Sequence, residues 1–241
     1  MKRDRALQFL LGTAVFGCLW GFLEAVTFAG MLHRYWEVFF PYHLCPCFLM
    51  AAVFGSFIMG AALAVYKKPS MMIGIGLVAL ASGWLSVPFL PDLVRADYYG
   101  AWVPSATAII VGAVSFALVS ALSMKRMEES VPARVGTGVL SALIAASIFI
   151  VATEYGVDKG ICAVLGYARP LPDFLGVGGL CWMAAQAIML PLGYLIGERR
   201  EALGSRLLPN CENRPSLIRA CALAVIVLCS GGGAVAFAMG L

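Results

Sequence analysis

The chain has 241 residues, 61% of them hydrophobic and 12% charged, and a formal net charge of +4. A soluble domain carries about 25% charged residues, and no water-soluble fold of this length hides so much apolar surface. The small basic excess is no nucleic-acid signal, because it sorts by loop and does not gather into one patch.

Lipid is the solvent that suits such a composition. A spanning helix needs roughly 20 apolar residues, and seven runs of that kind occupy approximately 6–30, 47–66, 71–90, 101–124, 133–153, 174–196 and 217–239. They are too long and too continuous for barrel strands, which alternate over about ten residues. The expected fold is all-α: one polytopic integral membrane bundle of about seven transmembrane helices, taking up 1–241 with no separate soluble domain.

The first run opens on Met1-Lys2-Arg3-Asp4-Arg5, which looks like the start of a secretion signal, and Val15-Phe16-Gly17-Cys18 faintly suggests a lipoprotein cleavage site. The apolar stretch continues to Gly30, past the roughly 7–15 residues of a signal core, so it reads as a retained first helix. Glu24 is the only carboxylate well inside an apolar run, about 9 Å along the helix from the run's midpoint. Gly17, Gly21, Glu24 and Phe28 fall on one helical face. Gly17 and Gly21 form a small-xxx-small groove that admits a neighbouring helix. The carboxylate then points at protein, as its cost in hydrocarbon demands. It reads as a ligand-binding or proton-carrying group; the alternative is a neutral packing residue near the outer interface.

The next segment carries Met31, His33, His43, Cys45, Cys47 and Met50, and His33 and His43 are the only histidines in the protein. Imidazole and thiolate suit zinc, copper or iron, and thiolate with thioether leans toward Cu(I). Pro46 fits the first residue of the second helix, where its missing N–H costs nothing. Cys162, in the outer segment 154–173, supplies a possible third thiol. Three readings stand open: a metal or redox site, a disulfide from Cys45 or Cys47 to Cys162 in an oxidising periplasm, or thiols buried as small hydrophobes.

Pro69, in the turn Tyr66-Lys67-Lys68-Pro69-Ser70, stops the second helix. The outer segments 31–46, 91–100 and 154–173 read as longer, aromatic loops, with Tyr35, Trp36, Tyr98, Tyr99, Trp102, Tyr155 and Tyr167 forming an interfacial belt. On the inner side, 124–132 reads as a charged turn and 198–215 as a polar loop suited to a partner subunit. Gln186 lies five residues before Pro191 in the sixth run. A proline there frees a backbone carbonyl, and a nearby amide can line a polar cavity; interhelical hydrogen bonding is the alternative.

With the N-terminus inside, 13 of the 17 basic residues fall on inner segments and 4 on outer ones. The positive-inside rule then gives an N-in, C-out protein of the cell's inner membrane. No phosphate-binding glycine loop, His-Glu-x-x-His or Cys-x-x-Cys-His occurs, so no motif marks the chain as an enzyme on its own.

Gly17-Cys18-Leu19-Trp20-Gly21-Phe22-Leu23-Glu24, with His33 and the Lys68-Pro69 turn, resembles the substrate-binding (S) components of energy-coupling-factor transporters over the first 90 residues. That resemblance implies a small helical bundle that binds a vitamin or metal ion from outside and docks on a shared ATPase module. The family's bundles usually have six spans where this chain reads as seven, and His43-Leu44-Cys45-Pro46-Cys47 is not a signature of the group.

The expected function is binding of a small ligand or soft metal ion at the outer face, as a membrane subunit of an uptake system with further membrane or cytoplasmic subunits. Glu24 and Gln186 are the candidate ligand-binding residues. His33, His43, Cys45, Cys47 and Cys162 are the candidate ligands of a copper, zinc or iron ion. The alternatives are a subunit of a redox or respiratory complex with a Cys/His cofactor contact, and a membrane thiol oxidoreductase.

Overall fold

The computed structural model describes residues 2–27, 49–86, 92–155, 177–207 and 215–238. Among these there is no strand, and seven helices follow one another. They are α1 (Lys2–Thr27), α2 (Ala51–Tyr66), α3 (Met71–Ser86), α4 (Asp92–Glu129), α5 (Val131–Tyr155), α6 (Val177–Leu207) and α7 (Pro215–Ala238). Four contain segments long and apolar enough to cross a membrane: Ala6–Glu24, Ala106–Glu129, Val131–Phe149 and Gly179–Arg199. The chain is therefore a helical membrane protein. Helices α2 and α3 are also apolar but shorter.

Several helices outrun the apolar stretches that announce them. Helix α4 begins at Asp92, inside the segment expected to be an outer loop. It also continues to Glu129, so the expected turn at 124–132 shrinks to Ser130 alone. Helix α6 runs on to Leu207, which makes much of the expected polar loop helical. Hydropathy marks only the part of a helix that sits in hydrocarbon. Leu, Arg, Met, Lys, Glu and Ala sustain a helix equally well in water. Ser130 caps the start of α5, its hydroxyl accepting the Ala133 N–H at 3.4 Å.

The turn between α2 and α3 matches its sequence signal. Lys67 closes α2 in the left-handed conformation (φ 49°), and its N–H bonds the Leu63 carbonyl at 2.8 Å. Pro69 follows within the turn, where it cannot continue the helix.

Helix α1 packs on α3, α3 on α4, α4 on α5, α5 on α6 and α6 on α2, and α2 touches α1 to close a ring of six. The π-helical start of α2, Ala51–Gly55, reaches α1, α4 and α6 at once. Helix α7 lies outside the ring against α1 and α3. Trp20, Phe116, Phe149, Trp182 and Tyr194 fill the interior, while Leu10, Leu122, Leu180 and Leu228 face outward. Lipid tails are as apolar as leucine, so burial from water does not join these helices; close van der Waals packing does.

Two seams of parallel helices supply that packing. In the first, a Cβ on Gly17 of α1 would lie 2.5 Å from Val78 Cβ, and one on Gly21 would lie 2.7 Å from the Ala79 carbonyl of α3. In the second, Gly193 of α6 sits against the Phe57 carbonyl of α2, and a Cβ on Gly197 would lie 2.6 Å from the Ala61 carbonyl. Gly60 answers from α2, where a Cβ would come within 2.5 Å of the Leu190 carbonyl.

Candidate functional site

Glu24 sits roughly 28 Å along α1 from Arg5, at 1.5 Å per residue. It is only 5% exposed. One turn earlier, Trp20 Nε1 donates to Glu24 Oε1 at 2.8 Å. The indole is itself buried and packs on Gly55, the last residue of the π-helical turn, where a Cβ would lie 2.5 Å from Trp20 Cζ2. Only glycine at 55 leaves room for the ring. Gly21 shares a face with Glu24 and lies against Ser82 of α3, which is also buried. Three helices thus converge on the carboxylate: α1 carries it, α2 braces the indole that bonds it, and α3 flanks it. A π-bulge widens a helix locally and recurs at functional sites.

Gln186 of α6 is buried, and its Oε1 accepts a hydrogen bond from Ser141 Oγ of α5 at 3.0 Å. Gly138, one turn before Ser141, brings α5 onto the α6 backbone; a Cβ there would lie 2.6 Å from the Gln186 carbonyl. Gln186 therefore belongs to the α5–α6 seam. Glu24 belongs to the junction of α1, α2 and α3. Interhelical polar bonds in membrane proteins contribute about 0.6 kcal/mol each on average. Ser141→Ala should accordingly lower stability by about that amount, measured by thermal unfolding in detergent.

His33, His43, Cys45, Cys47 and Cys162 lie outside the described residues. Among the described residues, no three His, Cys, Asp or Glu side chains are grouped to hold a metal ion. Cys181 and Cys229 are free thiols, and Cys18 and Cys229 are buried.

The sequence reading missed one constellation. Arg134, near the start of α5, is only 4% exposed. Its guanidinium makes a two-pronged bond to Glu198 of α6, at 3.0 Å to Oε2 and 2.8 Å to Oε1. Arg134 Nε donates to the Met127 carbonyl at 2.7 Å, capping the last turn of α4. The guanidinium carbon also lies 4.1 Å from the centre of the Tyr194 ring. One side chain thus joins α4, α5 and α6. Nearby, Lys67 Nζ of α2 reaches Glu128 of α4 at 3.6 Å, an exposed pair of little energetic weight. Arg134 counted in the sequence as one more inner-loop cation. The signal that could have exposed it is the opposite charge, Glu198, at the matching end of the next span.

No protein-family model matches the chain, and neither does any curated protein or solved structure.

Proposed function

We propose that the protein spans the inner membrane seven times, N-terminus in the cytoplasm, and binds a small ligand or soft metal ion at its outer face as a membrane subunit of an uptake system. The observation that carries this reading is Glu24, a carboxylate buried inside a membrane span and bonded to Trp20. Ionisable groups are expensive in hydrocarbon and persist where they bind or carry something. The basic residues favour the orientation, because the α2–α3 turn holds Lys67 and Lys68 and the adjoining ends of α4 and α5 hold Lys125, Arg126 and Arg134. In this reading Glu24 supplies negative charge from within the bundle, with Gln186 a second polar contact. His33, His43, Cys45, Cys47 and Cys162 capture a soft ion at the mouth, the donor set suiting copper, zinc or iron. The resemblance to transporter S components favours a cytoplasmic ATPase partner.

Two experiments test this. Glu24→Gln keeps an oxygen for Trp20 Nε1, so stability should fall by about 1 kcal/mol or less. Uptake of zinc, copper or iron into vesicles should nonetheless collapse. Undiminished uptake by Glu24→Gln would remove the carboxylate from the function. Separately, metal that co-purifies with the wild-type chain should be lost from Cys45→Ala/Cys47→Ala; unchanged metal content in that variant refutes the outer-face capture site.

A further inference from the structure

Arg134, Thr137, Gly138 and Ser141 lie at i, i+3, i+4 and i+7 of α5 and so share one face. Each meets a neighbouring helix through a polar group. Arg134 bonds Glu198 of α6, Thr137 Oγ1 lies 2.8 Å from Ser123 Oγ of α4, Gly138 rests on the Gln186 carbonyl, and Ser141 Oγ donates to Gln186 Oε1. The file extends about 10 Å along the helix, and Arg134, Thr137, Ser141 and Gln186 are all buried. Helices in lipid need none of these groups to adhere, since small residues suffice.

Two features lower the cost of parting this seam. Each hydroxyl also lies within reach of a carbonyl in its own helix, Thr137 of Ala133, Ser141 of Gly138 and Ser123 of Val119, to which its single proton can turn. Each can exchange its cross-helix partner for water without orphaning a donor. At the end of the file, the Arg134 side chain is 5% exposed but that of Glu198 is 42% exposed. Release therefore means turning one half-solvated carboxylate into water, while Arg134 keeps the Met127 carbonyl of α4. Two turns beyond Ser123 along α4, Ser115 Oγ is buried with no hydrogen-bond partner.

We propose that this face of α5 forms the inner half of the solute route, and that the Arg134–Glu198 pair is the clamp that holds it shut in the conformation described here. What passes through rests on the uptake reading; the opening of the seam does not.

Hydrogen–deuterium exchange of the full chain in lipid nanodiscs tests the clamp with water itself as the probe. Glu198→Gln should accelerate amide exchange about tenfold over residues 134–141 and 186–198, while the α1–α3 seam keeps its wild-type rate. Glu198→Asp, which retains the charge but shortens the reach, should move the same segments less and covers the case in which the glutamine variant does not assemble. In parallel, Ser141→Cys should resist a membrane-impermeant maleimide applied from the inner face, and should label about tenfold faster when combined with Glu198→Gln. Unchanged exchange and labelling would overturn the proposal. So would acceleration spread evenly over the α1–α3 seam, which is what a merely structural ion pair produces. Local opening in a protein that takes up no metal supports the clamp and counts against the uptake reading alone.

Discussion

Gly193→Ala should lower the unfolding temperature sharply, although alanine is the best helix former and glycine among the worst. The added Cβ meets the Phe57 carbonyl of α2, and a backbone atom cannot rotate aside as a side chain can. The two helices must separate, and separation loosens the contacts of Gly197 and Gly60 on the same seam. The expected loss is about 3 kcal/mol, the upper end of the range for overpacking. Gly136→Ala is the matching control, because a Cβ at that exposed position meets nothing within 4 Å. There helix propensity acts alone and should stabilise by about 0.5–1 kcal/mol. Thermal unfolding of both variants in the same detergent checks the ordering. Equal midpoints for Gly193→Ala and wild type would mean that the α2–α6 seam is not as tight as described.

Glu198→Ala should be the second costly substitution, and it should cost more than Arg134→Met. Removing Glu198 leaves a guanidinium with 5% side-chain exposure and only backbone carbonyls and the Tyr194 face to answer its charge. Breaking a fully buried pair costs about 3–5 kcal/mol. Water reaches this one through Glu198, 42% exposed, so about 2 kcal/mol is the discounted expectation. Arg134→Met instead leaves a carboxylate already half in water, and methionine can fill the space against Tyr194. The double variant Arg134→Met/Glu198→Met should recover most of the loss, since apolar side chains often replace a buried ion pair at no net cost. A double-mutant cycle from the unfolding curves of wild type, Arg134→Met, Glu198→Met and the double variant supplies the coupling. Additive losses would show that the two side chains act separately.

The residues differ in how far their roles could be read beforehand. Gly17, Gly21 and Glu24 were legible because a helix has a fixed period: residues at i, i+4 and i+7 share a face whatever packs on it. Trp20 was not legible as the partner of Glu24. Its indole reaches the carboxylate in a geometry set by Gly55, on a different helix. Gly193 and Gly197 carry the same small-xxx-small spacing as Gly17 and Gly21. Their importance emerges from the neighbour they meet, since spacing alone does not say which small residues touch another backbone. Gln186 stood out as a lone amide in an apolar run, and its partner Ser141 lies 45 residues away.

The sequence by itself determined that this is a helical membrane protein and where its apolar segments fall. Hydropathy is a sum over neighbours in the chain, and transfer into lipid depends on little else. Only the tertiary structure decided that α1 pairs with α3 and α2 with α6, that α7 stands outside the ring, and that Arg134 turns inward from the start of α5 to join three helices. Those choices depend on contacts between residues far apart in the chain. Such contacts are resolved by the fit of one surface to another, a property that no local pattern contains.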